Sequence, residues 1–138
     1  MSTAPGMGAS LPACLALCAA LGGRPVSPAS LSAGLSMEGG ALSPQGAVRA
    51  AERAGLVLEP LPRGQIESAL DSGDHFIVRK GPAHALVEVA ARRMRLHAPG
   101  DGAAPVPAEL DRAQTLEHLR TADEAWRLRP LNLAHAPD

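Results

Sequence analysis

Two periodicities divide the chain, a helical one as far as residue 55 and a two-residue one after it. From Ser10 to Gly23, SLPACLALCAALGG places apolar residues at Leu11, Cys14, Leu15 and Cys18, the spacing of one helix face. Ser10 is positioned to cap this helix with Pro12 in its first turn, and Gly22 and Gly23 stop it. Ser27 and Pro28 predict a second, short helix through Leu35, and Gly39 and Gly40 break the chain again. Ser43 and Pro44 open a third, with Val48, Ala51 and Ala54 inward, Arg49 and Arg53 outward, and Gly55 as its stop.

Beyond Leu56 the pattern reads as strands. Val57 to Leu61 is short and extended, Ile66 to Leu70 supports one or two helical turns, and HFIVRK, ALVEV and MRLH predict three strands. Gly81 and Pro82 separate the first two of these, residues 90–93 turn the second into the third, and 98–107 is a Gly/Pro loop. A polar helix near Glu109 to Arg120 and a closing strand at AWRLRPL complete the chain. Helices first and antiparallel strands after them predict an α+β domain, with N-terminal helices packed on a small antiparallel sheet. One domain is expected over 10–133, with a flexible N-terminus at 1–9 and a tail or linker at 134–138.

Composition narrows the function classes. The formal net charge is -1 and the basic residues are scattered, so the footprint of a nucleic-acid binder is missing. Phe76 and Trp126 are the aromatic residues, too few for a platform that stacks bases or sugars. The apolar run Leu11 to Leu21 is too short to span a bilayer and has no Lys or Arg before it, so a cytoplasmic setting is expected. Cys14 and Cys18 lie one helical turn apart, which suits packing in a reducing compartment better than a disulfide.

These segments, in order, resemble a known family. SLPACLAL, a double glycine with PVSPASL, SPQGAVRAAERAGL, two strands and LHAPGDG are similar to the bacteriocin-processing cysteine peptidases that cut leader peptides after a double glycine. The resemblance extends to the degenerate form of that domain at the N-terminus of type I secretion ABC transporters, and it implies a papain-like fold. In the active family the first helix begins Cys-Gly-x-Ala-Cys-Leu-Ala. On SLPACLA this puts Ser10 at the nucleophile and Leu11 at the glycine, with Cys14 at the structural cysteine. The oxyanion glutamine falls on Ala4, and the aspartate that would orient the histidine falls on Ala98. The general-base histidine is kept as His84, and folding ALVEV onto MRLH sets it roughly opposite His97 or Ala98.

The resemblance therefore implies a remnant site at Ser10, His84 and Ala98 with no catalytic residue, and a cleft between the first helix and the sheet. Ser10, Leu11, His84, Leu96 and His97 are its candidate substrate-binding residues. Neither a cofactor nor a metal is implied, and His75, His84 and His97 match no tight ligand spacing. Gly22-Gly23 and Gly39-Gly40 resemble the cleavage signal but stand where helices must end. The implied role is recognition or tethering of a secreted polypeptide or leader peptide beside the transmembrane and nucleotide-binding domains of an ABC transporter, at the cytoplasmic face of the bacterial inner membrane. The alternatives are a peptidase with an unexpected nucleophile, and a structural module without substrate contact.

Overall fold

The computed structural model describes residues 6–35, 37–38, 41–81, 83–90, 93–97 and 108–130. Helix α1 (Gly6–Leu21) is followed by α2 (Pro28–Ser32), a hairpin of β1 (Met37–Glu38) and β2 (Ala41–Leu42), and α3 (Pro44–Arg53). The second half runs β3 (Leu56–Pro60), a 3-10 turn (Arg63–Gln65), α4 (Ile66–Asp71), β4 (His75–Lys80), β5 (Ala83–Ala90) and β6 (Arg93–His97). It ends with β7 (Ala108–Leu110), α5 (Arg112–Thr121) and β8 (Glu124–Pro130). Six strands form one antiparallel sheet in the order β3-β8-β4-β5-β6-β7. The α+β class is as expected. Among the described residues no helix is long and apolar enough to cross a membrane.

Apolar residues fill both faces of the sheet. On one face Ile77, Leu86 and Leu128 pack against Cys14 and Leu15 of α1 and Ala50 and Ala51 of α3. On the other, Phe76, Val78 and Val87 pack with Ile66 and Leu70 of α4 and Leu119 of α5. Double coverage explains why HFIVRK and ALVEV carry adjacent apolar residues where strict alternation would leave polar ones. The sequence located the first layer of helices; the second layer follows from α4 and α5 having nowhere else to bury Ile66 and Leu119.

Helix ends follow their local chemistry. Gly23 adopts φ 85°, Arg24 N–H donates to the Ala19 carbonyl and Gly23 N–H to the Ala20 carbonyl, each at 2.9 Å, so the double glycine is a helix stop. Ser43 Oγ accepts from Gly46 N–H at 3.0 Å at the start of α3. Arg53 Nη1 donates to the Ser30, Leu31 and Ala33 carbonyls, taking up acceptors at the end of α2 and ending that helix earlier than Leu35.

Four details differ from the sequence expectation. Helix α1 starts at Gly6, so Ser10 lies inside it and is not its cap, and Pro12 is an interior residue. Proline removes one backbone donor there without ending the helix, which continues on both sides. Val48 is 41% exposed, because α3 turns Gly46, Ala47, Ala50 and Ala51 inward and leaves Val48 on its flank. The β1–β2 hairpin occupies the glycine break. β7 stands where the polar helix was expected to begin, since Ala108 to Leu110 pairs with β6 and Asp111 then opens α5 with a capping box to Gln114.

Candidate functional site

A cleft of about 660 Å³ opens at one end of the sheet, under the N-terminal part of α1 and the flank of α3. Leu11 of α1, Val48 of α3, Leu58 of β3, His84 of β5 and Trp126 of β8 line it. Sheet order explains the meeting of distant residues: β8 inserts between β3 and β4, which brings Trp126 opposite Pro60 on one side and Ile77 on the other. Helix α1 then supplies the roof.

His84 is half-buried and stacks on Trp126, with ring centroids 6.1 Å apart and planes 25° from parallel. Burial, then the nearby Arg79 charge, pushes its pKa down to about 4, with Glu124 acting in the opposite sense. The imidazole is therefore neutral at pH 7. Arg79 itself is engaged: its Nε donates to Glu124 Oε1 at 2.9 Å and its Nη1 to the Gly81 carbonyl at 2.7 Å. Gly81 N–H donates to Asp123 Oδ2 at 2.6 Å, so the hairpin that carries His84 is pinned to the start of β8.

The thiols offer no nucleophile. Cys14 and Cys18 are buried, and burial pushes each pKa up to about 12. Their spacing on one helix face is a packing feature, as expected from the sequence. The Ser10 side chain, Ala4 and Ala98 lie outside the described residues; of the candidate substrate-binding residues, Leu11 and His84 line the cleft together.

The other candidates separate. Leu96 pairs with Val87, packs on the sheet face opposite His84 and is not among the cleft-lining residues. His97 pairs with Leu86, so the register carries His84 beyond the described end of β6 and not opposite His97. His97 shares the cleft face of the sheet but sits further along it, where its Nε2 is 2.9 Å from Glu88 Oε1. His75 Nδ1 accepts from Val89 N–H at 3.0 Å near the same end. Glu88 lies four residues from His84 along β5, about 13 Å in an extended strand, so the three histidines do not converge. Among the described residues no group of three or more His, Cys, Asp and Glu is placed to hold a metal ion.

Sequence reasoning missed Trp126, Val48, Leu58 and Arg63 as cleft residues. Trp126 had one signal, as the single tryptophan of an aromatic-poor chain. The others carry none, because their roles depend on which strand lies at the edge.

Helices packed on both faces of a six-stranded antiparallel sheet, with a cleft at one end, define an α+β domain, and the papain-like peptidase fold is what its match to a solved structure shows. More particularly, the chain has the fold of a C39-like peptidase domain. It is similar to the solved N-terminal peptidase C39 like domain of the toxin secretion ATP-binding protein from Vibrio parahaemolyticus, with 25% identity and a TM-score of 0.61, over 88% of this chain and 96% of that one. No protein-family model and no curated protein matches the sequence.

Proposed function

We propose that this is a C39-like peptidase domain that does not cleave, and that it recognises or tethers a polypeptide for a type I secretion ABC transporter. The observation that carries the reading is the His84–Trp126 stack on the floor of an apolar cleft. A general base must reach the proton it removes. Here the imidazole lies against an indole, and both thiols are buried in the core with raised pKa values. The sequence supports the same conclusion, since Ser10, Ala4 and Ala98 stand where the resembling family has its nucleophile, oxyanion glutamine and aspartate.

The cleft outlasts the chemistry because it is shaped by the packing of α1 and α3 on the sheet, which also keeps the domain folded. The Vibrio domain is the N-terminal part of a secretion ATP-binding protein. That likeness supports transmembrane and nucleotide-binding domains as partners, at the cytoplasmic face of the inner membrane. A secreted polypeptide or its leader is the substrate held.

Incubation with a double-glycine leader peptide, read by mass spectrometry, leaves the peptide intact. An NMR titration with unfolded secretion substrate shifts signals of Leu11, His84 and Trp126, with affinity in the range of about micromolar or weaker because a flexible chain must be ordered. A specific cut lost in Ser10→Ala overturns the non-cleaving reading. An absence of shifts at about 1 mM substrate overturns the recognition reading.

A further inference from the structure

The free edge of the sheet forms the outer wall of the cleft. β3 is the terminal strand and pairs with β8 on one side. Leu61 N–H donates to the Ala125 carbonyl at 3.0 Å, and in an antiparallel ladder alternate residues direct their backbone groups to opposite sides. Val57 and Glu59 therefore bond towards β8, whereas the amides and carbonyls of Leu56 and Leu58, with the Pro60 carbonyl, point outward. Among the described residues no backbone hydrogen bond engages these outward groups. An edge in this state is a template for another strand. Pro60 and Pro62 have no N–H, so the template is short and ends at Leu58.

The surroundings specify what fits. An added strand would send successive side chains to opposite faces of the sheet. On the face of α3 it meets Pro44 and Val48, and on the other it meets Leu61 and Leu119, all of which line the cleft. The α3 face is apolar, and the other face is apolar at Leu61 and Leu119 but carries Glu59, paired with Arg127 and Arg129, further back along β3; consecutive apolar residues are selected where the segment lies between Leu58 and Leu61. Arg63 lines the cleft just past Pro62 and has no ion pair among the described residues, whereas Arg79 is held by Glu124. A free guanidinium at the end of the template favours a carboxylate there.

Building on the recognition reading above, we propose that the cleft takes its polypeptide as a seventh strand on the edge of β3. The occupant is an extended segment of about three consecutive apolar residues, flanked by an Asp or Glu that meets Arg63. Leu58 N–H and C=O set the register. The short, proline-ended edge admits one such segment and gives a second copy of this chain little to pair with.

The test uses the full chain and a fluorescein-labelled nonapeptide with a Val-Leu-Val core, one Asp beside it and polar residues elsewhere, read by fluorescence anisotropy. Two further probes carry N-methyl groups on alternate amides, one series on each edge of the extended peptide. Blocking the edge that faces β3 weakens binding about tenfold, the value of one or two backbone hydrogen bonds, while blocking the other edge changes it less than about twofold. Arg63→Glu weakens the Asp probe about threefold, and exchanging that Asp for Lys restores binding to the variant. Equal binding of both methylated probes, with His84 and Trp126 NMR signals still moving, overturns strand addition and leaves the recognition reading intact. No binding of any probe at about 1 mM overturns both. A dimer by light scattering that dissociates when the peptide is added assigns the edge to a second copy and overturns the cargo assignment.

Discussion

The two ends of one sheet face, about 13 Å apart along β5, use histidine in opposite ways. At the cleft end His84 lies against Trp126, beside its cross-strand neighbour Arg79, whose Nε donates to Glu124. At the far end His97 meets Glu88 at 2.9 Å, with 12% and 14% of the two side chains exposed, and His75 takes the Val89 amide. A second cavity of about 490 Å³ lies there, lined by Cys18, Leu21, Arg24, His75 and Glu88. The difference lies in partners. At the far end a carboxylate and a backbone amide hold the two rings, whereas at the cleft end an indole face covers one side of His84 beside a wide cleft.

The largest effect that probes this contrast comes from the residue between the two ends. Leu86 is fully buried, and Leu86→Ala should cost about 2–5 kcal/mol in urea unfolding, with both ends disordered together. A loss confined to one end in hydrogen exchange breaks the picture of a shared core.

Glu88→Ala is next. Removing the partner of the part-buried His97 ring should cost about 1 kcal/mol of stability while leaving peptide affinity at the cleft unchanged. Equal losses of stability and binding would show that the two ends act as one site.

The effect smallest at neutral pH is a pH dependence that separates the histidines. His84 titrates near 4 when folded and near 6.5 when unfolded, so below about 6.5 the unfolded chain binds the extra proton. Stability contributed by the neutral ring is complete above that pH and is lost as pH falls towards 4, with a slope of at most ~1.4 kcal/mol per unit for one proton. His75, whose pKa burial lowers despite Glu88 and Asp74, acts in the same direction. Trp126→Ala lets water reach His84 and should move its NMR titration midpoint up from about 4, leaving the His75 midpoint where it was. A matching shift of His75 would join the two ends electrostatically.

Much of this architecture is legible in the chain. Strands β4, β5 and β6, helix α4, the double-glycine stop and the burial of both cysteines follow from local periodicity and turn chemistry, which act over a few residues. The start of α1, the exposure of Val48 and the strand β7 did not follow. The last two depend on a surface supplied from elsewhere: the sheet that takes Ala47 and Ala50 in place of Val48, and the β6 edge that pairs with Ala108.

What the sequence by itself determined is the α+β class and the packing of Cys14 and Cys18 on one helix face, while the roles of Ser10, His84 and Ala98 are what the resemblance implies. Only the tertiary structure decided that β8 lies between β3 and β4, that Trp126 therefore reaches His84, and that Leu96 faces away from both. The physical reason is strand pairing. A ladder joins residues far apart in the chain, its register decides which side chains share a face, and no local pattern of apolar and polar residues records the choice of partner.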